Sequence, residues 1–208
     1  MSLIAKPLSI ALLLSLAAPL GAQETQAPAP TEPAAPAAEA PAAPAAAAPA
    51  ADGIGKPYVA EKFESWELRC VRTEDGSDPC QLYQLLMDKT TGKPISEISL
   101  LPLPEGGEAA LGATIITPLE TLLTQQLNIT VDGGKTKRYP FTFCADVGCV
   151  ARVGFTKEEV EDFKKGNVAV ISVVPVADPN RTVDVDISLK GFTAGLEAVQ
   201  KAFAANKK

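Results

Sequence analysis

From Tyr58 onward the chain alternates apolar and polar residues with the period of two that a half-buried strand imposes. No other feature restricts the fold as strongly. Trp66, Leu68 and Cys70 share one strand face, and Leu127, Ile129 and Val131 share another. An Asp132-Gly133-Gly134 turn then returns the chain through Tyr139, Phe141 and Phe143, so the two runs are expected to form a hairpin. Further strands are predicted at Val150–Phe155, Val168–Val176 and Thr182–Leu189. In the last of these Val183, Val185, Ile187 and Leu189 face one way, with Asp184, Asp186 and Ser188 opposite.

Two stretches break this rhythm. Thr156 followed by Glu159 forms a capping box, Val160 and Phe163 fall on one helical face, and Gly166 is placed to end the helix as a short crossover. A second helix is predicted after Thr193, with Leu196, Val199 and Phe203 along one stripe. Short strands with few helices give a mainly β fold. The expectation is an antiparallel, immunoglobulin-like β-sandwich with one crossover helix and a C-terminal helix packed on an edge or an open face.

The 208 residues include a segment that cannot join such a core, and its alanines inflate the apolar fraction of 46%. Residues 1–22 carry a single Lys6, an apolar run from Leu8 to Leu20 and a Gly21-Ala22 exit. That run is shorter than the roughly 20 apolar residues a bilayer span needs, so it is expected to be a cleavable signal peptide. Residues 23–57 are mostly Ala and Pro, and a proline every few positions defeats helix, leaving a disordered, polyproline-like spacer as the expectation. Residues 58–208 remain as one domain of usual size.

Four cysteines in an exported chain imply two disulfides, and four allow three pairings. Cys70 and Cys80 enclose Glu74-Asp75-Gly76-Ser77-Asp78-Pro79, while Cys144 and Cys149 enclose Ala145-Asp146-Val147-Gly148. Each pair is thus expected to close its own turn. Zinc is disfavoured because neither pair has a two-residue knuckle spacing and no histidine is present. Neither pair has the Cys-x-x-Cys spacing that lowers a thiol pKa.

The absence of histidine removes the imidazole on which ordinary serine and cysteine hydrolases depend. Carboxylate chemistry needs only two acids, and Asp184 and Asp186 project from one strand face, so a carboxylate-dependent envelope hydrolase is the enzymatic alternative. Alternating acids opposite an apolar face are, however, what a half-exposed strand shows. Asp178, Asn180, Thr182 and Asp184 imitate a calcium loop, but Val183 and Leu189 stand where glycine and glutamate are required. No catalytic, cofactor or metal residues are therefore assigned.

The formal charge is −6, and loss of Lys6 with the signal takes it to −7, which opposes binding to phosphate backbones or anionic membrane surfaces. Lys135, Lys137 and Arg138 cluster beside the glycine turn, where a solvated hairpin tip is expected. The expected partner is an unidentified envelope or surface protein, with no nucleic acid and no stable membrane insertion after cleavage.

Several segments in this order resemble the invasion-associated locus B proteins. They are Ser65-Trp66-Glu67-Leu68-Arg69-Cys70, Cys80, Leu101-Pro102-Leu103-Pro104, Asp132-Gly133-Gly134, the Phe143-Cys144 to Gly148-Cys149-Val150-Ala151 cluster and Ser188-Leu189-Lys190-Gly191-Phe192. The resemblance implies a periplasmic or surface-associated bacterial protein, an immunoglobulin-like sandwich and no established catalysis. It also brings an association with host entry in a pathogen. The Pro104-Glu105-Gly106-Gly107 continuation and the Ala-Pro spacer depart from the family pattern.

Overall fold

The chain separates into two units, Met1–Ala45 and Ala46–Lys208. The computed structural model describes residues 53–206, all within the second unit. The expected signal peptide and most of the expected spacer lie outside the described residues. Residues 53–57, counted above with the spacer, belong to the fold: the Gly55 amide donates to Arg72 O at 2.8 Å, and a strand begins at Pro57.

The strands are β1 (Pro57–Phe63), β2 (Trp66–Val71), β3 (Cys80–Met87), β4 (Pro94–Pro102), β5 (Ala109–Thr117), β6 (Leu127–Val131), β7 (Lys137–Tyr139), β8 (Phe143–Ala145), β9 (Gly148–Thr156), β10 (Val168–Val173) and β11 (Val183–Ser188). The helices are α1 (Lys157–Lys165) and α2 (Phe192–Ala205). One sheet runs β1-β2-β3-β4-β5-β9-β8 and the other β11-β10-β6-β7, with antiparallel pairing throughout. Two antiparallel sheets around one core make a sandwich, immunoglobulin-like in architecture. Its strand order departs from the immunoglobulin one, because β1 to β5 form a continuous meander.

Alternation decides which face is buried. Leu82 and Leu86, Ile98 and Leu100, and Leu111, Ala113 and Ile115 turn inward from the large sheet to meet Ile129, Ile171, Val185 and Ile187 from the small one. The helices close what the small sheet leaves open, α2 lying on β1 to β4 and α1 on β5 and β9. α1 is the crossover between the sheets, since β9 and β10 belong to different ones. Through the core runs a row of aromatic rings, Trp66, Phe192, Phe163, Phe155 and Tyr139, with successive centroids 5.6, 5.6, 4.9 and 5.8 Å apart. These tilted and edge-on contacts are the arrangement the ring quadrupole favours.

Strands β3, β4 and β5 have no counterpart among the sequence expectations, and three of the expected elements differ in detail. The return strand of the β6–β7 hairpin stops at Tyr139, because Pro140 has no amide to continue the ladder. Phe143 consequently enters the other sheet as part of β8. Lys137 and Arg138 lie in β7 rather than at the hairpin tip, and Lys137 is engaged with Glu159 at 3.3 Å. α2 starts at Phe192, ahead of Thr193, because Gly191 adopts φ 82° and passes so close to Phe63 that a Cβ there would meet its carbonyl oxygen at 2.1 Å.

Trp66 is fully buried on β2, donates its indole N–H to Ser188 O at 2.8 Å and packs its ring on Phe192. Trp66→Ala is expected to lower the unfolding free energy by about 3–5 kcal/mol, measured as a shift in the urea midpoint. An unchanged midpoint would contradict the core assignment.

Candidate functional site

Among the described residues a cleft of about 460 Å³ opens between the β6–β7 hairpin and α1. That volume lies within the range of small-ligand pockets. Its floor is apolar, made by Ile129, Phe155 and Phe163 from the core, and its walls are charged. Glu159 is among the residues that line it.

Glu159 is positioned by local sequence. As the third residue of α1 it accepts from the Thr156 amide at 2.8 Å, while Thr156 Oγ1 accepts from the Glu159 amide at 3.3 Å, which is the reciprocal capping box. Tertiary structure then brings two more groups to it: the Tyr139 hydroxyl donates to Oε1, and Lys137 Nζ lies 3.3 Å from the same oxygen. Burial alone pushes the Glu159 carboxyl up, but the hydrogen bonds from Tyr139, Thr156 and Lys137 outweigh it and hold the group below its ordinary value. Burial and the adjacent carboxylate raise the Tyr139 phenol. Such a carboxylate stays ionised and is fully occupied, so it is neither a proton donor nor a free base near neutrality.

Two other polar networks share this character. At the turn between β2 and β3, Asp78 accepts from the Thr73 amide at 2.8 Å and the Tyr58 hydroxyl at 2.7 Å, and these two bonds, in that order, hold its carboxyl low. On the outer face of the large sheet the Arg69 guanidinium sits 3.3 Å from the Tyr83 ring centroid and donates to Glu67 at 2.9 Å, while the Tyr83 hydroxyl donates to Glu97 at 2.7 Å. Leu85, Met87 and Leu101 remain exposed on β3 and β4 around this network.

The residues singled out from sequence do not converge on the cleft. Asp184 and Asp186 point away from the buried Val185 and Ile187, and Asp186 is paired with Lys89 at 2.7 Å. Asp178 accepts from the Asn180 amide at 3.3 Å within the loop before β11, so it shapes a turn. Among the described residues no group of three or more acidic, cysteine or histidine side chains is placed to hold a metal, and no helix is long and apolar enough to cross a membrane. Cys70 is bonded to Cys80 and Cys144 to Cys149, each joining residues directly opposite on neighbouring strands. Lys137 and Tyr139 were not legible as partners of Glu159. The only signal for Glu159 was its cap position, and its other two partners lie in a hairpin about 20 residues earlier.

The fold has known counterparts. The sequence pattern of the invasion associated locus B (IalB) protein family matches residues 66–200. The chain belongs to this family. Invasion protein B homologs from Brucella abortus strain 2308 and from biovar 1 strain 9-941 are each 24% identical over 146 residues, covering 70% of this chain and 82% of theirs. The crystal structure of invasion associated protein b from Bartonella henselae aligns with a TM-score of 0.58 at 19% identity, over 71% of this chain and 96% of that one. The matched span begins at Trp66 and ends within α2, so the IalB region takes in both cystines and the whole aromatic row.

A group whose folded pKa is depressed stabilises the fold above its unfolded pKa, and that contribution disappears as it protonates. Glu159→Gln is therefore expected to cost about 1–3 kcal/mol near neutrality, with the urea midpoints of variant and wild type converging as the pH falls below the ordinary carboxylate range. Midpoints that stay equally separated at about pH 3 would show that the charge of Glu159 is not what stabilises the fold.

Proposed function

We propose that this IalB-family chain is exported by its N-terminal segment and acts as a non-enzymatic interaction or envelope-accessory module in the periplasm or at the cell surface. One observation carries the non-enzymatic reading. Every displaced carboxylate among the described residues, at Glu67, Asp75, Asp78, Asp88, Asp132, Glu159 and Glu161, is moved below its ordinary value. A glycosidase-type acid needs the opposite displacement, produced by an apolar pocket or a second carboxylate, and here hydrogen bonds and lysines act instead.

Cross-strand cystines support export to an oxidising compartment, because cytosolic thiols are kept reduced. The relatives are named as invasion proteins, not as enzymes, which supports a role in contact with other macromolecules. The acidic chain disfavours nucleic acid and anionic lipid, so the partner is another envelope or surface protein. The exposed Leu85, Met87 and Leu101 supply apolar contact area around a fixed Arg69–Tyr83 platform, a composition typical of recognition surfaces.

Photo-crosslinking in cells from Met87 or Leu101 is expected to trap a specific envelope protein, and mature chain from the envelope fraction is expected to begin at or near Gln23. Asp184→Asn combined with Asp186→Asn is expected to leave both folding and crosslinking unchanged. A cytoplasmic chain retaining Met1 would overturn the export reading. Loss of the cellular phenotype in a folded, still-crosslinking double variant would favour the hydrolase.

A further inference from the structure

The two cystines look alike in the sheet and differ in everything around them. Both join register partners across an antiparallel pair, with Cα atoms 4.0 Å apart. Cys70–Cys80 links β2 to β3, and each of these strands has a neighbour on both sides. Cys70 is 2% exposed, and the turn that the bond closes is held independently by Asp78 through Thr73 and Tyr58. Breaking this bond would release little.

Cys144–Cys149 lies at the edge of the large sheet. Its outer partner, Cys144, sits in the three-residue β8, which is exposed throughout and pairs only with β9. Its inner partner, Cys149, is 1% exposed. Beyond the ladder, the Thr142 amide donates to Val150 O at 2.7 Å and, on the inner strand, the Thr117 hydroxyl donates to Cys149 O at 3.2 Å. The turn is forced tight by Gly148, which adopts φ 134° where a Cβ would stand 2.3 Å from Thr117 O. Val147 at its tip is 72% exposed and Phe143 beside it 42%, so the approach to Cys144 is flanked by apolar side chains.

We propose that Cys144–Cys149 is a thiol–disulfide exchange site for a partner dithiol protein, and that its reduction releases β8 from the sheet edge. The partner's thiolate attacks Cys144 Sγ. The S–S bond breaks with its electron pair on Cys149 Sγ, which takes up a proton, leaving a mixed disulfide between Cys144 and the partner. The partner's second thiol loses its proton, attacks its own mixed-disulfide sulfur and expels Cys144 Sγ, which is protonated in turn. The partner dithiol has become a disulfide and this cystine two thiols, a transfer of two electrons. With the bond open, three register pairs remain to hold β8, and its departure uncovers the Gly148–Val150 edge of β9, a backbone row able to accept a strand. This proposal does not depend on the export reading.

The test is a graded dithiothreitol titration of the full mature chain, with free thiols alkylated and mapped by mass spectrometry and amide exchange followed in parallel. Cys144 and Cys149 are expected to react at a dithiothreitol concentration about tenfold or more below that needed for Cys70 and Cys80. Exchange is expected to rise at residues 143–150 while Ile171 and Ile129 stay protected. The paired variant Cys144→Ser with Cys149→Ser should show the same local exchange pattern without reductant. Simultaneous reduction of both cystines, or reduction of Cys144–Cys149 that leaves exchange at 143–150 unchanged, would overturn the proposal.

Discussion

The carbonyl oxygen of Ser188 accepts two hydrogen bonds from the opposite sheet, from the Trp66 indole at 2.8 Å and from the Gln84 side-chain amide at 2.9 Å. The Ser188 amide answers by donating to Gln84 Oε1 at 2.9 Å, and its hydroxyl meets that of Ser65 at 2.9 Å. Hydrophobic burial alone would let two sheets slide, because apolar contact has no direction. These directed bonds fix where the last residue of β11 lies on β2 and β3. The chain then turns at Gly191 and delivers Phe192 onto Trp66, which sets the start of α2 and the aromatic row behind it. A buried indole N–H and a buried amide would each be costly without partners, so the arrangement tolerates little variation.

At its far end the aromatic row terminates in Tyr139, whose hydroxyl is anchored on Glu159, which in turn caps α1. Core packing and surface charge are thereby coupled, and the carboxylates follow the same logic: they accept from backbone amides, hydroxyls and lysines that fix turns and caps. Groups held this way stabilise the fold and are poor acids or bases. Exposed apolar side chains on β3 and β4 and the exposed edge strand β8 lie apart from these networks.

Much of the sandwich was legible because strands that are half buried must alternate. β2, β6, β9, β10 and β11 were read from that alternation, and α1 from Thr156, Glu159 and Gly166, but β3, β4 and β5 were not, because the buried Gln84, Ser96 and Thr117 put polar residues at inward positions and blur the pattern. β1 escaped notice because Pro57–Phe63 is an edge strand with a register irregularity between Val59 and Glu61, so little of it is buried and no alternation is required. β8 was merged with β7 because Phe141 and Phe143 continue an apolar pattern that Pro140 interrupts. The Glu159 cluster was half legible, its cap from spacing but its contacts with Tyr139 and Lys137 only from tertiary structure. Gln84 carried no signal at all, since a buried glutamine is recognisable only once the backbone group it bonds is in place.

The central claim is that bonds to Ser188 lock the two sheets together, and native-state hydrogen exchange at the Ser188 amide tests it most directly, because its acceptor is a side chain of the other sheet. Ser188 sits at the end of an edge strand, where an amide held only by its own sheet would fray and exchange locally. The account predicts that it exchanges with the same free energy as the Ile171 amide at the centre of β10, through global unfolding. Exchange at Ser188 faster than at Ile171 by several orders of magnitude would show that β11 opens freely, and that the sheets are not locked by these bonds.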